Sequence, residues 1–548
     1  MAMKKGSTKP HGEKIYSCIP KFSIWFLVIL FVTYVCYYTW NLVSYSWLPY
    51  SSTTVVLKAE AMLTPQQENP PTLVRVENNR KTSLQHVVFG IAASAKFWEK
   101  RKKYIKLWWK PNEMRGFVWL DKQVKTHAGE TDILPPLKIS ADIERFPYKN
   151  RLGDPSAIRI SRIVSETVRL GLKDVRWLVM GDDDTFFVPA NLVRVLEKYD
   201  YNQFYYIGSV SESHIQNIDF SYNMAYGGGG FAISYGLAKE IEKMQDTCIQ
   251  RYPQLYGSDD RMQACMAEVG VPLTKEAGFH QFDVYGSALG LLAAHPVAPL
   301  VSIHHLDIVD PIFPNMTQVQ GLSHLNIPIE LDSASMMQQS MCYDKNKIWS
   351  ISTSWGYVVQ IYRGFISPRE LERPSRTFLN WYRQADQTGF SFNTRPVSRN
   401  GCQTPFTYYM SKAWYDSYKN QMVTEYVRHW TKNPHCRWKI LDPGVVDQVV
   451  VYKRPDPQKW EKAPRRNCCR ILPSRNQRIM LVEVSLCREG GMILAWDTDK
   501  VIVEDHLVGA YSITITGSLI NDNFKWMATG VYSPNKSNKD PREDFGLN

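Results

Sequence analysis

The run Trp177–Met180 (WLVM), followed by Gly181 and three consecutive aspartates, Asp182, Asp183 and Asp184, narrows the folds open to this chain. A short segment that is apolar at every residue reads as a strand buried on both faces, as in a parallel sheet. Three adjacent carboxylates repel one another, so they belong where such a strand ends. Upstream, His86–Ala92 (HVVFGIA) and Arg115–Leu120 (RGFVWL) read as further strands. Between them Ile105, Trp108 and Trp109 stand at helical spacing in a segment, 97–109, with a basic face. Asp154 reads as a helix N-cap with Pro155 at the first helical position. Ile160, Ile163, Val164 and Val168 then form one stripe, and Gly171 stops the helix. This alternation predicts an α/β fold, a mostly parallel sheet with helices on both faces and ligands beyond the carboxyl ends of its strands. After about Ser335 the texture changes. Segments 348–366 and 445–452 are β-rich, so a smaller, cysteine-bearing β-rich region is expected there.

Topology is legible at the other end. Lys4, Lys5, Lys9, Lys14 and Lys21 precede residues 22–40, which carry no charge, and none returns until Lys58. Such a stretch spans ~29 Å as a helix, about one hydrocarbon core. Lysines on its amino side place the N-terminus in the cytosol. Bulky Tyr37, Tyr38 and Trp40 oppose a cleaved signal peptide and favour a signal-anchor. Residues 41–82, with Pro49, Pro65, Pro70 and Pro71, read as a stem. Of ten cysteines, eight lie downstream and none forms a CxxC pair, so disulfides in an oxidising lumen are expected. Asn315-Met316-Thr317 and Asn535-Lys536-Ser537 are N-glycosylation acceptors. At 44% apolar and 22% charged residues, the chain is neither mainly disordered nor a multi-span membrane protein. Its net charge of +12 permits an anionic partner. The basic residues are dispersed, so nucleic acid is not inferred; an acidic polysaccharide or an anionic sugar nucleotide fits.

Four constellations carry possible chemistry. Asp182–Asp184 at a strand end suit a hard divalent cation, Mn²⁺ or Mg²⁺, bridging to a diphosphate, with a solvated turn as the alternative. Asp497-Thr498-Asp499 repeats the pattern by composition alone. Gly227, Gly228, Gly229 and Gly230 remove side-chain bulk, so backbone can approach a ligand; the spacing is neither a Walker loop nor GxGxxG. Asp259 and Asp260 precede a helical stretch, 261–269, as caps or as a general base. His304 and His305 offer imidazole after an apolar stretch.

Together and in this order, GDDDT, YGGGGFAIS, YGSDDRMQACMAEVGVPLT, GFHQFDVYG and LLAAHPVAPLVSIHHLD resemble the plant fringe-related glycosyltransferases, the fringe-like part of glycosyltransferase family 31. VVFGIAASAKFWEKRKKYIKLWW and RGFVWLDK fit the same group, and the resemblance runs from Ser83 to Cys487. It implies a GT-A fold, a UDP-sugar donor, a glycan or glycoprotein acceptor, inversion at the anomeric carbon, and a Golgi membrane location. Carried over by position, Asp184 is the best metal ligand, with Asp183 or Asp182 near the ribose and phosphates. His305, or its neighbour His304, completes the metal site. Gly227 to Gly230 wall the sugar pocket. Asp260 or Asp259 is the base, and the resemblance favours Asp260, leaving Asp259 as cap. Where this group usually carries Arg-Gly-Asp, the chain reads Tyr285-Gly286-Ser287.

The expected organisation is then a cytosolic tail (1–21), a transmembrane signal-anchor (22–40), a stem (41–82), a GT-A-like catalytic domain (83–335), a β-rich region (336–489) and a foreign tail (490–548). That tail resembles a fragment of a retrotransposon endonuclease. Two alternatives stay open: a phosphodiesterase using the same carboxylates, and a glycosyltransferase-like membrane protein without activity that binds or scaffolds.

Overall fold

The computed structural model describes residues 30–35, 37, 81–384, 386–431, 436–487, 501–508, 512–519 and 525–531. Most of the expected span at 22–40, nearly all of the stem and the Asn535 acceptor lie outside the described residues. Among the described residues, no helix is long and apolar enough to cross a membrane.

The first half of the fold contains β1 (Val87–Ala92), β2 (Arg115–Leu120), β3 (Leu137–Ile139), β4 (Trp177–Asp182), β5 (Phe186–Phe187), β6 (Tyr206–Gly208), β7 (Phe231–Ser234), β8 (Leu273–Lys275), β9 (Phe279–His280), β10 (Val284–Gly286) and β11 (Ser302–Ile303). Seven of these make one sheet in the order β3-β2-β1-β4-β7-β6-β8. Only β7 runs against its neighbours β4 and β6; the remaining pairings are parallel. The sheet is therefore mostly parallel, as the alternation of strands and helices predicts.

Period-two burial sorts the strand residues onto two faces. Val88, Leu178, Met180 and Ile233 pack with the helices Ser156–Val168, Tyr235–Arg251 and Ser258–Glu268. Val87, Phe89, Ile91, Trp177 and Val179 pack on the opposite face. That face departs from the expectation of helices alone. Its apolar cluster takes in the helix Trp98–Trp108 and runs on, without a break, into the second sheet, which meets the first half at the helices Leu289–Ala293 and Gln318–Asp332. Each such large apolar side chain contributes about 1.5–3 kcal/mol when fully buried.

The second half contains β12 (Gln339–Asp344), β13 (Trp349–Ser354), β14 (Val358–Arg363), β15 (Phe378–Asn380), β16 (Phe406–Asp416), β17 (Gln421–Arg428), β18 (Gln448–Lys453), β19 (Cys468–Leu472) and β20 (Ile479–Ser485). Eight of them form a sheet in the order β12-β13-β14-β16-β17-β18-β20-β19. Its first and last strands are joined by Cys342–Cys469, so the sheet curls back on itself. Cys248–Cys265, Cys402–Cys436 and Cys468–Cys487 pair the other six downstream cysteines. β15 leaves the sheet and pairs with β10, placing Asn380 opposite Val284. Within 490–548, the strands Val501–Val508, Ser512–Leu519 and Lys525–Val531 pair with one another and with neither larger sheet.

Candidate active site

β4 runs two residues beyond its apolar run and delivers Asp182 at its carboxyl end. Thr185 closes the turn that follows. Its N–H donates to the Asp182 carbonyl at 3.0 Å, and its Oγ1 accepts from the Asp182 N–H at 2.8 Å. The same hydroxyl donates to the Gly228 carbonyl at 2.7 Å, tying the aspartate turn to the glycine run.

The short strand β11 brings His304 against this turn. Its Nδ1–H donates to the Gln281 carbonyl at 3.2 Å, which aims Nε2 at the aspartates. Nε2 lies 3.2 Å from Asp184 Oδ1 and 3.6 Å from Asp182 Oδ2. Ligand atoms of Asp182, Asp184 and His304 all fall within 4.8 Å of one another. Burial pushes the His304 imidazole down, but the two carboxylates more than offset it and raise it to about 9. Burial pushes Asp184 up, yet His304 and Arg101 hold it well below the usual carboxylate range.

Asp183 is turned out of this cluster. Burial drives it up to about 7 against the pull of Arg101, whose Nη1 donates to its Oδ1 at 2.8 Å. Arg101 also reaches Asp184 Oδ2 at 3.1 Å and Asp307 Oδ2 at 3.1 Å. Asp307 is held in turn by Tyr104 and Lys100. The basic face of the Trp98–Trp108 helix thus supports the aspartates. That role of Arg101 and Asp307 was missed from the sequence, although the basic stripe and the HHLD motif were its visible signals.

His305 stands outside the Asp182–Asp184–His304 group. With φ at +50° it occupies the left-handed region, and its Nδ1 faces the Phe282 carbonyl at 3.1 Å and Asp283 Oδ1 at 3.2 Å. Its ring stacks on Trp381, with centroids 4.8 Å apart and planes 11° apart.

The glycine run explains itself by contact. Gly227–Gly229 form a 3-10 turn, and Gly230 has φ +85°. A Cβ on Gly228 would overlap the His304 ring, and one on Gly227 would meet Asp259 Oδ1 at 2.5 Å. The run therefore lets two functional side chains close on the same backbone.

Asp259 and Asp260 begin the Ser258–Glu268 helix with opposite fates. Asp260 accepts from the amides of Tyr256 at 2.7 Å, Gly257 at 2.9 Å and Arg261 at 2.9 Å. The cap thus falls to Asp260, a correction to the expectation that Asp259 would hold it, because the chain entering the helix wraps Asp260 with these three donors. Asp259 takes a hydrogen bond from Ser258 Oγ at 3.0 Å and faces Gly227. Burial pushes its carboxyl up to about 7; the Gly227 amide pulls it down and the Asp182 charge adds to the rise.

Asp259 and Asp260 both line a cleft of about 310 Å³, together with Asp283, His305, Tyr226, Gln281 and Trp381. Trp381 follows β15 and comes from the β-rich half; it was missed, and no spacing links it to residues near 260 or 305. Tyr285 stacks behind it at 5.2 Å. Ser287 lies away from the cleft: its Oγ accepts from the Leu289 amide and its carbonyl accepts from Thr377 Oγ1.

Two family matches fit this geometry. Residues 82–303 match the family described as Fringe-like, and residues 216–469 match "Protein of unknown function, DUF604". No curated protein matches the chain. Among solved structures, a glycosyltransferase involved in glycosylation of the major capsid of PBCV-1 aligns at 13% identity and TM-score 0.22. It covers 44% of this chain and 99% of that one. Mouse xyloside xylosyltransferase 1 in its apo form aligns at 9% identity and TM-score 0.20, over 33% of this chain and 80% of its own.

Proposed function

This chain is fringe-related through residues 82–303, and from that premise we propose that it is an inverting, metal-dependent glycosyltransferase. The donor is a UDP-sugar and the acceptor is a hydroxyl of a glycan or glycoprotein. The observation that carries the reading is the pair Gly227–Gly228, which has Asp259 against one residue and His304 against the other. The Asp259 carboxylate and the Asp182–Asp184–His304 cluster are thereby set beside two residues without side chains.

The cluster fits a hard divalent ion. Asp184 Oδ1 is buried with His304 Nε2 at 3.2 Å, and ligand atoms of Asp182, Asp184 and His304 all lie within 4.8 Å of one another. Carboxylate and imidazole donors suit Mn²⁺, and Mg²⁺ where oxygen dominates. When bound, such an ion offsets the charge that develops on the leaving diphosphate.

The protein's own part is proton transfer and placement. Asp259 takes the proton of the acceptor hydroxyl as that oxygen attacks the anomeric carbon. The bond between that carbon and the diphosphate oxygen breaks on the opposite face, and the configuration inverts. Asp259 acts as a base only when ionised, so kcat/KM rises with pH up to a limit at or below about 7, since a cation beside Asp182 lowers it further. Asp260, committed to three amides, holds the helix that carries Asp259.

The compartment belongs to the same proposal: a Golgi membrane protein anchored by residues 22–40, with everything after them lumenal. Four disulfides favour an oxidising lumen. Asn315 is exposed, so glycosidase treatment is expected to shift the gel band of the wild-type chain but not of Asn315→Gln.

Transfer from a panel of UDP-sugars, with Mn²⁺ and then with excess chelator, tests the reaction. Activity lost on chelation and restored by Mn²⁺ is expected. Transfer at an undiminished rate in chelator would remove the metal from the reading.

A further inference from the structure

A second cavity, of about 370 Å³, has Glu212 and His280 in its lining. Gln281 and Asp283 line the cleft beside Asp259 instead, so the segment 280–283 has a cavity on each side. Glu212, His280 and His295 are all buried, and the transfer reaction uses none of them.

Three polar contacts run through these residues in series. Glu212 Oε1 lies 3.2 Å from His280 Nδ1, His280 Nε2 lies 2.9 Å from His295 Nε2, and His295 Nδ1 lies 2.8 Å from the Pro296 carbonyl. Each contact needs one proton. A carbonyl only accepts, so His295 Nδ1 carries the first. Burial, and then the neighbouring His280, push His295 down to about 3 against the pull of the Pro296 carbonyl, so its Nε2 stays a lone pair. The proton between the two rings therefore belongs to His280 Nε2. The last proton lies between Glu212 and His280 Nδ1 and can sit on either. With three protons the chain is complete and carries no net charge. A fourth would set two N–H groups against each other, and a missing one would set two lone pairs together. Arg373, Arg466 and Glu372 line the same cavity, but Arg466 pairs with Glu372 at 3.0 Å and Arg373 with Glu370 at 2.8 Å, so their charges are offset locally.

The second carboxylate oxygen of Glu212 accepts from the Phe282 amide at 2.8 Å. One side chain thus holds the segment at two alternate residues, 280 and 282. The same segment holds the site. The Gln281 carbonyl accepts from His304 Nδ1 at 3.2 Å, and Gln281 Oε1 accepts from the Gly229 amide at 2.6 Å. His280 also stands opposite Ile303 where β9 pairs with β11, one residue before His304. We propose that Glu212, through the chain of protons shared with His280 and His295, is a positioning residue for the Asp182–Asp184–His304 group, fixing the segment that sets the direction of the His304 ring. The inference rests on the metal-dependent reading for what that group binds.

Calorimetry of Mn²⁺ binding by the full chain, with UDP present, compares Glu212→Gln with Glu212→Leu. The amide of Glu212→Gln can accept from Phe282 and donate to His280 Nδ1, so the chain stays whole and affinity should stay within about three-fold of wild type. Glu212→Leu breaks both contacts and should weaken Mn²⁺ by ~10–100-fold. Both variants lack the charge, so charge alone cannot separate them. Where Glu212→Leu fails to fold, His280→Leu takes its place in the comparison. A second measurement needs no metal. The unfolded chain protonates His295 below its ordinary 6.5 and the folded chain does not, so stability falls as pH falls, down to about 3. Between pH 7 and 5 this side chain should lower the folded-to-unfolded ratio about 25-fold. His295→Gln, which can accept from His280 and donate to Pro296 but takes up no proton, should lack that loss. Glu212→Gln as weak as the leucine variant, or a leucine variant at wild-type affinity, overturns the positioning role. Equal pH dependence in wild type and His295→Gln overturns the chain. A wild type that binds no Mn²⁺ removes the parent reading and the positioning role with it, while the pH comparison still decides the chain.

Discussion

The seven-stranded and eight-stranded sheets are similar in size but contribute different chemistry. The mostly parallel sheet sends its strand ends and their loops to one side, and Asp182, Asp184, Asp259 and His304 converge there. The eight-stranded sheet, antiparallel at every pairing but β18 with β20, spreads its loops over both ends. Its half adds one residue to the cleft lining, Trp381, through the excursion of β15 onto β10. The carboxylates and imidazoles of the site come from the first region, and the second adds one aromatic ring to the cleft lining.

The largest effect expected from breaking this division is at the base. Asp259→Asn should cut transfer by ~10²–10⁴-fold while leaving UDP and Mn²⁺ affinity nearly unchanged. It should also remove the acid limb of the pH profile near 7, which titration calorimetry and initial rates can establish together. Wild-type rates from this variant would move the base elsewhere.

The next effect concerns the second region alone. Replacing Cys342 and Cys469 with serine opens a loop of 127 residues and should lower stability by about 4–5 kcal/mol in denaturant titrations. Both sheets share one buried apolar cluster, so a single unfolding transition should move as a whole. Two separated transitions would show that the halves are energetically independent.

A smaller effect is expected within the first region. Arg101 bridges Asp183, Asp184 and Asp307 without touching the cleft, so it positions ligands and does not react. Arg101→Met should weaken Mn²⁺ binding by ~10–100-fold, as losses around a metal site commonly do. Arg101→Lys should restore part of that affinity, and an unchanged affinity in Arg101→Met would reduce Arg101 to a bystander.

The same division decides what the sequence could disclose. Val87–Ala92, Arg115–Leu120 and Trp177–Asp182 were legible because strands buried on both faces leave unbroken apolar runs. The aspartate turn was legible because it adjoins such a strand. Which histidine joins it was not, because neighbouring residues differ only in direction, and that direction is set by the left-handed backbone at His305. Trp381 was illegible for a different reason: its place depends on the pairing of β10 with β15, nearly a hundred residues apart, and pairing at that distance leaves no local pattern.

The smallest effect tests the pair that the sequence could not resolve. Asp259 and Asp260 are adjacent, identical in type, and both suited to a helix start by the dipole. Contacts alone separate them: one is wrapped by the amides of Tyr256, Gly257 and Arg261, and the other meets Gly227. Asp260→Ala should therefore cost about 1–2 kcal/mol of stability, the worth of a lost cap, because the three donors lose their acceptor. Asp260→Asn keeps an acceptor for the amides of Gly257 and Arg261 but turns its NH2 toward the Tyr256 amide, so it should cost about half as much as Asp260→Ala. Transfer by Asp260→Asn should stay within about two-fold of wild type, since the Asp260 carboxylate is committed to backbone amides and Asp259 is untouched. A fall in Asp260→Asn turnover as deep as that expected for Asp259→Asn, with the melting temperature unchanged, would exchange the two roles. The reactive group would then lie on the capping residue, and the Gly227 contact would be packing alone.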